Sequence, residues 1–312
     1  AWIHVGNGYG KLVGETQVRE FGEIETPIIL TCTLCVWTAA DALKEWQLAK
    51  PGEGQHTLNP IVGETNDSRV NNMWSPDTIK PEYVFEALNS AKSGPVEEGS
   101  VGAGRGTQAF GWKGGIGTSS RVLPKSLGGY TVGVLVQTNF GGDLVINGAP
   151  VGRELNQYSF KTQLEEARRG IVKTDGGSMM MVVATDAPIL SRNLDRLAKR
   201  AMMGIARTGS VAHNSSGDYV IAFSTNKDVR RDRGASDPVP SKTLTNTAMS
   251  PLFGAVVEAI EEAVYNAMLK ATTVTSSRGT LEAIDVDKVK AILEKYNVTG
   301  YDKTLPPGNI NQ

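Results

Sequence analysis

The chain has 312 residues and a nearly balanced charge, with 32 Lys and Arg against 33 Asp and Glu and a net charge of −1. Nucleic-acid binding requires clustered positive charge, so this balance argues against a nucleic-acid partner. No apolar run approaches the roughly 20 residues that cross a bilayer, so we predict no membrane-spanning segment and no membrane partner.

The N terminus gives no indication of cellular location. Residue 1 is Ala, and residues 2–5 already have the pattern of a strand. No basic segment, apolar segment or cleavage site precedes them, as a secretory signal would require. We therefore expect a processed chain or one that begins inside a longer protein, and localisation stays open between the bacterial cytoplasm and periplasm.

Helices and strands alternate in the first half of the chain. Residues 38–50 predict a short helix, and residues 81–92 predict a second helix with proline at its first position, where the missing N–H costs nothing. Residues 94–117 are rich in glycine. Residues 131–136 are a continuous apolar run, typical of a strand covered on both faces. Residues 144–151 predict another strand, with an Asn-Gly turn in its middle.

The same alternation continues in the middle of the second half. Residues 168–177 read as a loop that leads into a second fully buried strand at 178–184. Asp186 is the expected N-cap of a helix with apolar residues at helical spacing as far as residue 201. Residues 219–223 predict a third buried strand, and residues 227–242 predict a polar loop.

The best helical pattern lies near the C-terminal end. Ser250 is its expected cap and Pro251 its first residue, and one apolar stripe continues to residue 268. Residues 286–296 predict a last helix before a tail. Buried strands that alternate with half-buried helices indicate an α/β protein with helices packed outside its sheets. Because no linker divides the chain, we predict a single domain over residues 1–312.

The common binding motifs are incomplete. Two glycine clusters, at residues 6–10 and 102–107, lack the third glycine of a dinucleotide fingerprint, and no P-loop or nucleophile elbow occurs. Cys32 and Cys35 form a lone C-x-x-C pair, whereas structural zinc needs four ligands. We expect two partly buried thiols there, with a redox or metal role as the alternative. The run at 230–233 is expected to be a solvated loop, with a contact to a partner or substrate as its alternative.

The chain has only three histidines, which limits conventional serine-hydrolase chemistry. His213 is the best candidate for a histidine base. A serine can also be activated by its own α-amino group after self-cleavage, and that amine has an ordinary pKa of about 7.7–8.0. Ser178 follows two glycines and begins a buried strand, so the Gly177 carbonyl is open to attack by the Ser178 hydroxyl. An ordinary Gly-Gly-Ser loop is the simpler interpretation.

The chain also resembles the DmpA/BapA family of self-processing aminopeptidases, which includes L-aminopeptidase/D-esterases and β-peptidyl aminopeptidases. The resemblance covers nearly the whole chain. Its segments occur in the family's order: VGETND at 62–67, GPVEEG at 94–99, FGWKGGIGTSSR at 110–121, GVLVQTN at 133–139, VATDAP at 183–188, RTGS at 207–210, SGD at 216–218 and AFST at 222–225.

This resemblance implies a four-layer αββα sandwich, which the family shares with the ornithine acetyltransferases. It implies self-cleavage between Gly177 and Ser178. The products would be an α-chain of residues 1–177 and a β-chain of residues 178–312, which together form one catalytic domain. Cleaved heterodimers would then assemble into a homo-oligomer.

The resemblance also assigns roles to individual residues. Ser178 matches the nucleophile, and Ser216 matches a second serine beside it. Asp218 matches an acidic residue that orients this second serine, and Asn139 matches the donor to the oxyanion. Glu64 matches the carboxylate that holds the substrate's amino group. The simpler interpretations are a plain turn at residues 216–218 and a surface or helix-capping role for Glu64.

The implied function is release of N-terminal residues, including β-amino acids, from short peptides, amides or esters. The reaction would proceed through an acyl-enzyme, with no metal and no organic cofactor. The alternatives are an ornithine acetyltransferase-like acyl transfer and an uncleaved, inactive binding or structural homologue.

This chain departs from the family in three places. Relatives carry further residues before the point that matches Ala1. They give no role to Cys32 and Cys35. Asn66 stands where some D-esterases have Tyr, which argues against a preference for D-alanyl substrates.

Overall fold

A central mixed sheet organises the computed structural model, which describes residues 1–50, 57–161, 176–231 and 240–300. The strands in these ranges are β1 (Trp2–Gly8), β2 (Ile28–Cys32), β3 (Ile61–Thr65), β4 (Gln108–Ala109), β5 (Trp112–Lys113), β6 (Ile116–Val122), β7 (Thr131–Asn139), β8 (Gly176–Thr185), β9 (Ser215–Ser224), β10 (Val274–Ser276) and β11 (Gly279–Leu281). The helices are α1 (Glu15–Phe21), α2 (Val36–Leu48), α3 (Pro81–Ser90), α4 (Val151–Glu154), α5 (Ser191–Arg207), α6 (Ser250–Leu269) and α7 (Val286–Lys295).

The central sheet has the strand order β1-β9-β8-β7-β6. Its middle strand, β8, runs parallel to β9 and antiparallel to β7. Both neighbours cover the backbone of β8, and its faces are largely buried, which explains the uninterrupted apolar run at residues 179–184. The register sets Ser178 opposite Asn139 on one side and opposite Gly217 on the other.

Four layers follow from the alternation of side chains along these strands. Met179, Met181 and Val183 of β8 belong to the core under α5 and α6, whereas Met180 belongs to the core between the two sheets. The parallel pair β2–β3 packs on that second face, and α2 and α3 cover it from outside. The predicted αββα sandwich is therefore confirmed.

Most predicted elements are present with shifted ends. The helix expected from Asp186 begins at Ser191, because Asp186 instead accepts the backbone N–H of Thr131 at 2.7 Å. Ser250 is the first residue of α6 and not its N-cap, because a 3₁₀ turn over Thr247–Met249 precedes it.

The strand predicted at residues 144–151 is wrong. A single bridge joins Ile146 and Ala149, and the chain then enters α4 at Val151. The turn itself is present, with positive φ at both Asn147 and Gly148. A two-residue turn closed by one bridge therefore replaces the strand.

The expectation of two thiols is also wrong. Cys32 and Cys35 are both buried and are joined by a disulfide. Cys32 ends β2, and a 3₁₀ turn over Thr33–Cys35 folds the chain back, so the two Cα atoms lie 5.1 Å apart. This separation is within the range that a disulfide spans.

Several predicted segments lie outside the described residues. They are residues 168–175 of the predicted loop, residues 232–239 of the polar loop and the tail at 301–312. Among the described helices, none combines the length and apolar character needed to cross a membrane.

Candidate functional site

A cavity of about 450 Å³ opens where β7 ends and β8 begins. Its walls include Ser178, Gly177, Asn139 and Glu64, which are four of the residues singled out in the sequence. They come from strands far apart in the chain, and the packing of β3 on the central sheet brings them together. The volume falls in the usual range for small-molecule sites.

Ser178 occupies the third position of β8 and is only 6% exposed. Its hydroxyl donates to the carbonyl oxygen of Gly177 at 2.6 Å, so it lies against the peptide bond that precedes it. A Cβ at position 177 would stand 3.1 Å from the Phe140 backbone and 3.2 Å from Ser216 Oγ. Because Gly177 has no side chain, the backbone at residue 177 can pack against both Phe140 and Ser216 beside the Ser178 hydroxyl.

Asn139 ends β7, directly across from Ser178. The backbone N–H of Gln108 donates to Asn139 Oδ1 at 3.0 Å. A backbone N–H can only donate, so the acceptor must be the amide oxygen and the Asn139 NH₂ is left to donate elsewhere. Because Asn139 lines the cavity, this NH₂ is suited to bind an oxyanion there.

Ser216 and Asp218 lie on β9, next to β8, and both are buried. The Ser216 hydroxyl donates to Asp218 Oδ1 at 2.8 Å, which leaves the Ser216 oxygen able to accept a hydrogen bond from a neighbour. Burial raises the pKa of the Asp218 carboxyl to about 6, although the bond from Ser216 acts in the opposite direction. Both residues belong to a regular strand, so the plain-turn interpretation is wrong.

Glu64 lies inside β3 and is 2% exposed, so it is neither a surface acid nor a helix cap. The Lys11 backbone N–H donates to its Oε1 at 2.9 Å, and the Thr33 hydroxyl donates to its Oε2. These two donors fix the carboxylate at the cavity wall, where its remaining lone pairs can accept from a cationic group.

His213 is not among the residues that line the cavity. Its ring packs edge-on against Phe160, with 5.7 Å between ring centres, and its carbonyl accepts the backbone N–H of Ser216 at 2.9 Å. Its role in the structure is therefore to position the start of β9 through its backbone.

Several residues that shape this site could not be recognised from the sequence. Thr33 and Lys11 hold Glu64, and Gln108 holds Asn139. Lys11 and Gln108 act through backbone N–H groups, which every residue except proline carries, so no motif could have revealed them. Thr33 lay inside the C-x-x-C motif, but nothing in the sequence linked it to Glu64.

Lys113 also supports this site, although no motif assigned it a role. Its side chain is fully buried. Its ammonium donates to the carbonyls of Gly104, Thr107 and Gly114 at 2.6, 3.1 and 2.7 Å. Burial, with a smaller effect from Arg105, lowers the pKa of Lys113 to about 7. The three bonds fix the glycine-rich loop that presents the N–H of Gln108 to Asn139.

No cluster of three or more His, Cys, Asp or Glu side chains within the described ranges is placed to hold a metal ion.

Comparisons with known proteins agree with this geometry. The model of peptidase family S58 matches residues 1–281. The chain is 40% identical over 298 residues to the beta-peptidyl aminopeptidase BapA of Sphingosinicella microcystinivorans, which covers 93% of this chain and 74% of that protein.

Solved structures are similar over nearly the whole chain. A beta-aminopeptidase of Burkholderia sp. is 36% identical, with a TM-score of 0.82, over 94% of this chain and 80% of that one. The L-aminopeptidase D-Ala-esterase/amidase of Ochrobactrum anthropi is 33% identical, with a TM-score of 0.83, over 95% and 80%. That protein is described as a prototype for the serine aminopeptidases and as a variant of the Ntn hydrolase fold.

Proposed function

The chain belongs to peptidase family S58, and from that membership we propose that it matures by cutting itself between Gly177 and Ser178. It is a hydrolase that acts as an aminopeptidase, and the resemblance identified from its motifs is confirmed. The observation that supports the proposed site best is the position of Ser178, which faces Asn139 in the same cavity as Glu64.

In the maturation step, the Ser178 oxygen attacks the carbonyl carbon of Gly177. The bond from that carbon to the Ser178 nitrogen breaks, and the nitrogen receives the hydroxyl proton, so an ester replaces the amide. Water then hydrolyses the ester and leaves a carboxylate on Gly177 and a free amine and hydroxyl on Ser178. The 2.6 Å contact between the hydroxyl and the Gly177 carbonyl oxygen supports this step.

In the catalytic step, the new Ser178 amine accepts the hydroxyl proton while the oxygen attacks the substrate carbonyl. The Asn139 NH₂ stabilises the oxyanion that forms. The leaving amine takes the proton and departs, and water then hydrolyses the acyl-enzyme by the same route in reverse. Asp218 keeps the Ser216 hydroxyl turned toward itself, so the Ser216 oxygen can accept a hydrogen bond from the Ser178 amine.

Glu64 supplies the preference for a free N terminus. Its carboxylate is buried at the cavity wall and accepts two hydrogen bonds, which leaves lone pairs for a substrate ammonium. A charge-assisted bond of this kind distinguishes a free amine from an acylated one. The substrates are accordingly short peptides, amides or esters with a free amino group, and the names of the relatives support β-peptides among them.

Residues 1–177 and 178–312 would remain together as one catalytic domain after cleavage. This follows because β1 and β7 precede the cut, whereas β9 and all of β8 except its first two residues follow it, and all four are strands of one sheet. We infer that these cleaved heterodimers assemble into a homo-oligomer. Light scattering would test this, because the mass should be a multiple of 33.3 kDa.

The two alternative functions are not favoured. Neither an ornithine acetyltransferase-like transfer nor an inactive binding homologue corresponds to the peptidase relatives. The family's acetyltransferase counterparts also use threonine as nucleophile, whereas this chain has Ser178 at that position.

A denaturing gel of the full-length protein tests the proposal. The wild type should give two bands from this chain, of about 19 and 14 kDa in proportion to residues 1–177 and 178–312 of a 33.3 kDa chain. The smaller should begin Ser-Met-Met-Met. Ser178→Ala should stay uncut and should not hydrolyse aminoacyl p-nitroanilides, because it lacks the nucleophile. Cleavage or turnover by Ser178→Ala would overturn the assignment.

A further inference from the structure

The cavity that holds Ser178 carries more positive than negative charge. Glu64 is the single carboxylate among its lining residues in the described part of the chain, whereas Lys11, Arg69 and Lys161 are cations. None of the three cations forms an ion pair with a carboxylate of the described residues. A site built only to bind an ammonium would gain nothing from these cations, since like charges repel.

Lys11 belongs to the end of the cavity that holds the amino group. Its backbone N–H binds Glu64. Its ammonium donates to the Tyr9 carbonyl at 3.3 Å and lies 5.0 Å from the centre of the Tyr9 ring. Lys11 therefore lies beside the carboxylate that binds the amino group, which leaves Arg69 and Lys161 as the cations to be explained.

Arg69 is presented by a firmly held turn. The carbonyl of Asp67 accepts the backbone N–H groups of Val70 and Asn71 at 3.3 and 3.0 Å. The Arg278 side chain donates to the Ser68 carbonyl at 3.0 Å, which ties the turn to the loop between β10 and β11. The backbone of Arg69 is thus fixed, while its guanidinium has no acid partner among the described residues. A guanidinium that is not paired with an acid can bind the carboxylate of a ligand through two parallel hydrogen bonds.

Lys161 adds a second cation to the same cavity. It is half-buried, and its ammonium donates to the Asn156 carbonyl at 2.9 Å. A lysine ammonium has three N–H donors, so the described residues leave two of them for a ligand.

We propose that the substrates of this site are short peptides with both ends free, whose terminal carboxylate binds Arg69 and Lys161 while their amino group binds Glu64. This inference rests on the proposed function and adds the far end of the substrate to it. A short peptide with two free ends carries one charge of each sign, which matches the two signs in the cavity. A cavity of about 450 Å³ is of the size that holds such a small ligand.

Two substrate pairs test the inference in the mature wild-type enzyme. β-Alanyl-alanine is compared with β-alanyl-alaninamide, and L-alanyl-alanine with L-alanyl-alaninamide, so each pair differs only in the terminal carboxylate. The expected kcat/KM is about 5- to 20-fold higher for the free acid. This factor lies between the effects typical of an exposed ion pair and of a buried charged hydrogen bond. The ratio of kcat/KM for the acid to kcat/KM for the amide should decrease in about 0.5–1 M salt, because salt at this concentration screens charges that lie more than a few ångströms apart.

Substitutions show which side chains cause the preference for the free acid. Arg69→Gln combined with Lys161→Gln should bring the ratio of acid to amide close to one by slowing only the acid, whereas Arg69→Lys should retain most of it. Arg19→Gln, an exposed arginine paired with Glu15 outside the cavity, is the matched control and should leave the ratio unchanged. A misfolded variant would slow both members of each pair, so the ratio separates lost recognition from lost structure.

The outcomes also separate this inference from the proposed function. Hydrolysis of the amides with no preference for the acids, or a ratio that persists in the double variant, overturns the carboxylate site and leaves the aminopeptidase intact. If no peptide is hydrolysed, the proposed function fails, and calorimetric binding of the same peptides to wild type and double variant still decides the inference. Equal affinity for acid and amide would then overturn it.

Discussion

The backbone N–H of Gln108 donates to the side-chain oxygen of Asn139 at 3.0 Å and thereby determines which end of the Asn139 amide is free to donate into the cavity. Asparagine can present either an oxygen or an NH₂, and only the NH₂ stabilises an oxyanion. The orientation of the proposed oxyanion donor thus depends on a backbone group 31 residues away in the chain.

Replacement of Asn139 should therefore affect the transition state more than substrate binding. Asn139→Ala should lower kcat by about 10²–10³-fold with little change in KM, because loss of an oxyanion donor has this effect. Steady-state kinetics with an aminoacyl p-nitroanilide measure it. Gln108→Ala is the control and should stay near the wild-type rate, because it keeps the backbone N–H. An unchanged kcat in Asn139→Ala would remove Asn139 from the mechanism.

Replacement of Glu64 should affect recognition of the free amine. Glu64→Gln should lower kcat/KM by about 10- to 150-fold for free-amino substrates, the equivalent of a charge-assisted hydrogen bond. Self-cleavage should continue, because it involves no ammonium. Thr33→Val removes one hydrogen bond to Glu64 but keeps the charge, so its effect should be smaller. Equal losses in both variants would contradict a role for the Glu64 charge.

The buried carboxyl of Asp218 should make stability depend on pH. Burial raises its pKa from 3.8 to about 6, so the folded protein holds a proton that the unfolded chain releases between about pH 4 and 6. The free energy of unfolding therefore falls as pH rises through this interval. Asp218→Asn cannot titrate at this position. The free energy of unfolding of the variant minus that of the protein with Asp218 should therefore increase by about 2–3 kcal/mol from pH 4 to pH 7.

Urea unfolding at the two pH values measures this difference. The uncut Ser178→Ala background keeps unfolding within one chain. The exposed Asp228→Asn is the control and should show no such rise. A difference that stays constant with pH would mean that Asp218 is not desolvated.

Lys113 should stabilise the glycine-rich loop and, through it, Asn139. Lys113→Met fills similar space but leaves the Gly104, Thr107 and Gly114 carbonyls without this donor, so the free energy of unfolding should fall by about 2–4 kcal/mol. The exposed Lys125→Met is the matched control. In the folded variant, kcat should also fall.

A double-mutant cycle separates these two effects of Lys113. If Lys113 acts on catalysis through Asn139, Lys113→Met should lower kcat much less in an Asn139→Ala background than in wild type. Full additivity of the two substitutions would show that Lys113 contributes to stability alone.

Much of the fold could be predicted from local patterns. The strands predicted at 131–136 and 178–184 correspond to β7 and β8. A strand that is covered on both faces carries apolar residues on both, so its sequence shows little alternation of apolar and polar residues. The prediction failed at residues 144–151, where an Asn-Gly turn closes a single bridge and no strand forms. It also failed at Asp186, whose carboxylate binds the Thr131 N–H of a neighbouring strand rather than capping its own helix. The second failure depends on a partner that is distant in the sequence, since Thr131 lies 55 residues from Asp186.

The order of the motifs was enough to identify the family and to mark Ser178, Asn139 and Glu64 as candidates. How these side chains are held depends on the fold. Glu64 comes from β3 and Ser178 from β8, and only the packing of two sheets brings them to one cavity. Their supports include the N–H groups of Lys11 and Gln108. A backbone N–H is the same in every residue but proline, so only the path of the chain can decide which of them meets a carboxylate or an amide.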